Sequence, residues 1–297
     1  MLNRATLLLA AALTAVVLAP SPAVAAAGFP VTIHAANGPV QIGTRPVRIV
    51  SLSPTATEDL FAVGAGSQVV AVDDQSNYPA GAPQTKLSGF TPNAEAIAGY
   101  HPDLVVVSND GGIVGSLQKL GITVLLEPAA ANLAQAYDEI RQLGAATGHT
   151  DEAARVVRSM QTTITRLIRS VPKRSRHLKV FHELGPDYYS ATSATFIGAI
   201  YRIFGFVNIA DAVDNAHTGY PQLSGEYILA TGPDLVVLSD TKCCGQSAKT
   251  VAARPGWKNV AAVVHRRIVA VNDDIASRWG PRIVEFVRLV AQAARRA

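Results

Sequence analysis

The chain has 297 residues, of which 48% are hydrophobic and 16% charged, and a formal net charge of +4. That is enough length for about two domains and enough apolar material for their cores; it excludes a disordered chain and does not point to a fibrous one. The basic residues are scattered. Their one short run, from Lys173 to His177, reads as a solvated turn, so nucleic acid is not an expected partner.

At the N-terminus, Arg4 precedes an apolar run from Leu7 to Ala19, then Pro20, Pro22, Ala23-Val24-Ala25 and Ala25-Ala26-Ala27. A charged start, a short apolar core and an A-x-A site make a secretory signal peptide over residues 1–27. The run is too short to stay in a bilayer as a span. No Cys adjoins the cleavage site, so lipid attachment there is not expected. The mature chain is expected to be a secreted or periplasmic protein that does not span the membrane. It is also expected to be a monomer.

Further along, Arg48–Leu52 reads as a strand, and Ser53 caps a helix with Pro54 at its first position that runs to Val63 before Gly64 and Gly66. Val69–Val72, Asp103–Ser108 and Ile122–Leu126 are the next strands, the last after a helix ending near Leu120-Gly121. Thr150 can cap a long helix that Asp151 and Glu152 suit at its start and Pro172 stops. Ala153, Val156, Val157, Met160, Ile164, Leu167, Ile168 and Val171 fall on one stripe of it. About 22 residues at ~1.5 Å each give roughly 33 Å, the span of a small domain. Beyond it Leu178–Phe181, Asp234–Ser239 and Arg267–Val271 are strands with helices between them.

One segment occurs twice. Glu95 to Ser108 and Glu226 to Ser239 match without a gap at eight of fourteen positions, 131 residues apart. Each copy reads as a short helix, a Pro-Asp turn and a buried parallel strand. So long a period excludes a solenoid and signals two domains of one build. The expected architecture is α/β, with two Rossmann-like parallel-sheet lobes over residues 28–149 and 173–297, joined by one stiff helix over 150–172.

Catalytic motifs are missing. Gly64-Ala-Gly66 follows a helix and lacks a third Gly, so it is a helix end, and there is neither a P-loop nor a G-x-S-x-G elbow. His182-Glu183 has no second His at helical spacing and reads as a strand-end or cleft pair. Asp73-Asp74 and Asp273-Asp274 close strands; they are turn-formers, or they face a ligand at the carboxyl ends of the sheets. The only cysteines, Cys243 and Cys244, are adjacent. They form a vicinal disulfide, which an oxidising compartment allows, or they remain two thiols of a surface loop, or one of them pairs with another molecule. Too few Cys and His stand at suitable spacing for a zinc site, and neither a metal nor a cofactor is expected.

The pattern Arg48-Ile-Val-Ser-Leu-Ser-Pro54-x-x-Thr57-Glu58, Asp74-Gln-Ser-Asn-Tyr78-Pro79 and Glu95 to Ser108 resembles the iron-chelate and cobalamin periplasmic-binding-protein family. Tyr188-Tyr-Ser-Ala, Phe196-Ile-Gly, Asn208-Ile-Ala-Asp211, Tyr220-Pro-Gln-Leu-Ser224-Gly-Glu226 and Arg278-Trp-Gly-Pro281-Arg282 continue the resemblance over nearly the whole mature chain. It implies a substrate-binding protein of an ABC importer, with a metal chelate held between two lobes and an ABC permease with its ATPase as partners. It also implies that Glu95 and Glu226 dock onto permease arginines, one from each lobe. Cobalamin binders of the family clasp the corrinoid with aromatic side chains from both lobes, which points to Gln75, Tyr78, Phe90, Tyr220, Arg278 and Trp279. Haem binders often place a Tyr where Phe90 stands, and an anionic siderophore would favour more cleft cations. A corrinoid is therefore the leading expectation and a ferric siderophore the second. An exported enzyme or chelatase on the same scaffold is the competing class, because a fold does not fix a function. An adhesin or interaction module would not need the cleft.

Overall fold

The computed structural model describes residues 28–297, apart from Arg176 and the side chain of Arg174, so the expected signal peptide lies outside the described residues. The chain opens with an antiparallel hairpin of β1 (Val31–Ala35) and β2 (Gly38–Ile42), which the sequence reading did not include. Gly38, at φ +97°, takes the left-handed conformation that its turn requires. Asn37 ties the tip to the first lobe: its Nδ2 donates to the Val124 carbonyl at 2.9 Å, and its Oδ1 accepts from the Leu126 N–H at 3.1 Å.

The N-terminal lobe holds β3 (Ile49–Leu52), β4 (Val69–Asp73), β5 (Gln84–Leu87), β6 (Leu104–Val107) and β7 (Val124–Leu126). They form one parallel sheet in the order β5-β4-β3-β6-β7. The C-terminal lobe holds β8 (Lys179–Glu183), β9 (Val207–Asn208), β10 (Leu235–Leu238) and β11 (Ile268–Ala270), parallel in the order β11-β10-β8-β9. All residues of β3, β6 and β10 are buried, as helices on both faces of a parallel sheet require. The short edge strands β5 and β9 were not expected from the sequence.

The repeat has a physical cause in its Pro-Asp turn. The Asp103 carboxylate accepts the N–H groups of Val47 and Arg48 at 2.8 and 3.0 Å, and Arg48 Nε donates to the His101 carbonyl at 3.0 Å. In the second lobe Asp234 accepts the Lys179 N–H at 3.0 Å, while Lys179 Nζ donates to the Thr231 carbonyl at 2.9 Å. In both lobes the turn carboxylate anchors the start of the central strand, and the basic residue there anchors the end of the preceding helix.

The linker helix spans Thr150–Arg169. Thr150 is its first helical residue and not its cap as expected; His149 holds the cap position and makes no side-chain capping bond. Asp151 and Glu152 lie in its first turn, where the helix dipole favours negative charge. Ala153, Val157, Met160 and Ile164 are buried, against the helix Leu133–Thr147 of one lobe and the final helix Ile283–Ala294 of the other. The first of these crossings is close enough that a Cβ on Gly144 would collide with Ala153. Each large apolar residue of the stripe contributes roughly 1.5–3 kcal/mol by burial. Ile140 and Leu143, Val157 and Met160, and Phe286 and Val290 belong to one buried cluster that runs through the linker into both lobes.

Candidate functional site

A cleft of about 440 Å³ lies between the lobes, at the carboxyl ends of the strands. Ala129, Ala130 and Ala131, just after β7, form its N-terminal wall. Leu184, Phe196, His217, Tyr220 and Trp279 form much of the opposite wall. The lining contains no Arg, Lys, Asp or Glu. Tyr220 is 49% exposed, and its loop is held by Asp214, whose carboxylate accepts the N–H groups of Thr218 and Gly219 at 2.9 and 2.8 Å.

Trp279 is fixed on two sides. Phe196 meets it edge-on at a centroid distance of 6.5 Å. Behind it the indole Nε1 donates to Glu139 Oε2 at 2.6 Å, across the boundary between the lobes. Burial pushes the Glu139 carboxyl up to about 7 despite that hydrogen bond, with Asp138 adding to the rise. Glu127 is pushed up to about 8 by burial and by Glu139. Asp59 is raised by burial and by Glu139, Glu58 and Glu127.

Not all of the expected ligand residues converge. Tyr220 and Trp279 share the cleft, whereas Gln75, Tyr78, Phe90 and Arg278 are outside its lining. Arg278 is buried in an interlobe network. It donates to Glu58 Oε1 at 2.9 Å, Asn77 Oδ1 at 3.0 Å and the Gln75 carbonyl at 3.0 Å, and it pairs with Asp274 at 3.2 Å. Arg282 closes on the same Glu58 carboxylate with bonds of 2.8 and 2.5 Å. Tyr78 lies under that guanidinium, 4.0 Å from its ring centroid, and lines a separate pocket with Phe61, Ala62 and Pro281. The Gln75 side chain bonds Asp74, and Phe90 stands 81% exposed on its own loop.

Sequence reasoning missed Phe196, His217, Glu139 and Glu58 as parts of the interlobe region. Glu58 carried a signal, as an acid among Ala56, Thr57 and Leu60 on a helix whose neighbouring positions are buried. Tyr189 lies near the cleft and outside its lining. It is 43% exposed and pairs by a β-bridge with Gln222, two residues from Tyr220.

The acidic pairs and His182 have structural partners. Asp73 accepts the Gln75 N–H at 2.7 Å and the Ser76 hydroxyl at 2.8 Å. Asp273 accepts the N–H groups of Thr241, Lys242 and Cys243 at 2.8, 3.0 and 2.9 Å. His182 bonds Tyr201 and Ser239 at 2.5 and 2.9 Å, and burial pushes it down to about 3. Cys243 and Cys244 are joined in a disulfide.

Asn93 and Ser224 cap the two short helices of the repeat, accepting the N–H groups of Ala96 at 2.8 Å and Tyr227 at 3.1 Å. Glu95 and Glu226 follow at equivalent positions of the first turns, both exposed. Neither has a side-chain partner among the described residues. No helix among the described residues is long and apolar enough to cross a membrane.

The chain is similar to known proteins. The chain is 32% identical to an uncharacterized ABC transporter substrate-binding lipoprotein of Bacillus subtilis, over 89% of this chain and 85% of that one. It is 34% identical to a cobalamin-binding protein of Halobacterium salinarum, over 93% of this chain and 79% of that one. Among solved structures it resembles a possible iron-binding (periplasmic solute-binding) protein from Staphylococcus epidermidis. The TM-score there is 0.71 at 28% identity, covering 84% of this chain and 99% of the other. The family model described as periplasmic binding protein matches residues 49–275, and this chain belongs to that family.

Proposed function

We propose that the mature chain is the exported substrate-binding protein of an ABC importer, and that it captures a corrinoid such as cobalamin in the interlobe cleft. The observation that carries the ligand class is the cleft lining, which pairs aromatic walls at Tyr220, Trp279 and Phe196 with small alanines and has no formal charge. Such a lining suits a flat, largely apolar macrocycle edged with amides. An anionic siderophore would need free cations, and the two nearby guanidiniums of Arg278 and Arg282 are taken up by Glu58. The relatives described as an ABC transporter substrate-binding lipoprotein and a cobalamin-binding protein support the same reading.

In this reading Glu95 and Glu226 form a bipartite contact with basic sockets of the permease, one from each lobe, and the associated ATPase drives uptake. The role is one of binding without catalysis. The test is to incubate the purified protein with cobalamin, ferric hydroxamate, ferric catecholate and haem, desalt it, and record visible spectra. Retention of the cobalamin spectrum alone supports the proposal. Retention of a ferric siderophore or haem in its place overturns the ligand class and leaves the importer role standing.

A further inference from the structure

Trp279 is a cleft wall from one lobe, and its only polar atom is committed to a carboxyl group of the other. An indole N–H is a donor only, so the ring's setting depends on an acceptor behind it. That acceptor is Glu139 on the Leu133–Thr147 helix, at 2.6 Å. Glu139 is not part of the cleft lining. The carboxyl groups that face it are Glu127 after β7, Asp59 on the helix Pro54–Ala62, and Asp138 on its own helix. Asp59 Oδ1 and Glu127 Oε1 are buried without a hydrogen-bond partner. The indole therefore supplies a donor to a region otherwise crowded with acceptors.

We infer that Glu139 is a positioning residue for ligand capture, holding the Trp279 indole in place as a cleft wall from the opposite lobe. This rests on the cleft being the ligand site, as proposed above. An ionised acceptor makes the stronger hydrogen bond. Burial has moved the Glu139 carboxyl up to about 7, so the charged acceptor predominates above neutrality and the bond weakens as pH falls through that value. The wall is then firmest in mildly alkaline solution and loosest in mildly acid solution.

The chain has two tryptophans, Trp257 and Trp279, and Trp257 is buried in the C-terminal lobe. Nitrogen-15 labelling of tryptophan therefore gives two indole resonances, read in the ligand-free protein from pH 5.5 to 8.5. One of them is expected to titrate with a midpoint near 7 in the wild type and to be pH-independent in Glu139→Gln. Cobalamin affinity is expected to fall about tenfold in Glu139→Leu, which removes the acceptor, and about two- to threefold in Glu139→Gln at pH 8. Any pH dependence of affinity that survives in Glu139→Gln arises outside the Glu139–Trp279 bond. Two pH-independent indole resonances in the wild type, or Glu139→Leu binding as tightly as the wild type, overturn the inference. The resonances need no ligand, so a wild type that binds no cobalamin while one indole still titrates counts against the ligand assignment and supports the Glu139–Trp279 link.

Discussion

Glu58 and Arg278 lie 220 residues apart in the chain and meet at 2.9 Å between the lobes, with both side chains almost fully buried. Arg282 closes on both oxygens of the same carboxylate. Removing one partner of a buried pair leaves the other charge uncompensated. Glu58→Ala is therefore expected to lower unfolding free energy by about 3–5 kcal/mol in urea titrations. Lys242→Ala, which breaks the more exposed pair with Asp274, is expected to cost about 0–1 kcal/mol. Equal effects would mean that the interlobe pair contributes no more than a surface one.

Capture should depend on the aromatic residues that line the cleft. Tyr220→Ala and Trp279→Ala are each expected to weaken cobalamin binding by about 1–3 kcal/mol in titration calorimetry. Tyr78→Ala is expected to leave affinity unchanged, because its ring lies under Arg282 outside the cleft. It should instead cost about 0.5–1 kcal/mol of stability through the lost cation–π contact. A loss of affinity in Tyr78→Ala with none in Tyr220→Ala would move the ligand to the other pocket.

The exposed acids of the repeat should matter only to delivery. In Glu95→Ala/Glu226→Ala, cobalamin affinity is expected to stay at the wild-type level while permease-stimulated ATP hydrolysis and uptake into reconstituted vesicles collapse. Reversal to Lys should be worse, since like charges would then face one another across the contact. Full uptake by the double alanine variant would reduce these residues to helix-start acids.

Stability should also respond to pH in a direction set by the buried carboxyl groups. Glu127, at about 8, and Glu139, at about 7, both lie above the ordinary value of 4.5. The folded state keeps protons that the unfolded state releases, so this stabilisation is full in acid and is lost as pH rises through the folded values. His182 works oppositely below its ordinary 6.5, because its folded value is about 3. The clearest window is therefore from pH 6.5 to 8, where the melting temperature should fall as pH rises. Each such proton accounts for roughly 1.4 kcal/mol per pH unit. Glu127→Gln should flatten the slope, and an unchanged slope would place the titration elsewhere.

Much of the fold was legible because local chemistry and tertiary role coincide. Asp103 and Asp234 sit in Pro-Asp turns at matching points of the repeat, where Asp103 anchors the residue just before β3 and Asp234 the first residue of β8. The strand β6 is apolar along its length because both of its faces are covered. The hairpin β1–β2 did carry an Asn37-Gly38 turn signal, but its strands are short and half-exposed. The cleft was legible only in part. Tyr220 and Trp279, which line the cleft, stand in the family pattern, and the same pattern contains Glu58, Arg278 and Arg282. A pattern shows that residues recur and not which of them meet. Whether Arg278 faces a ligand or Glu58 depends on the docking of two lobes, which no local periodicity encodes.

The buried cluster that threads the linker helix makes the two lobes mechanically one body. Cutting the chain on either side of residues 150–169 would leave Val157, Met160 and Ile164, or the surfaces that cover them, facing water. Neither half is then a portable module, although each has its own parallel sheet. Heating the whole chain should melt both halves in a single cooperative step, and a ligand gripped by either wall would raise the melting point of the wall opposite.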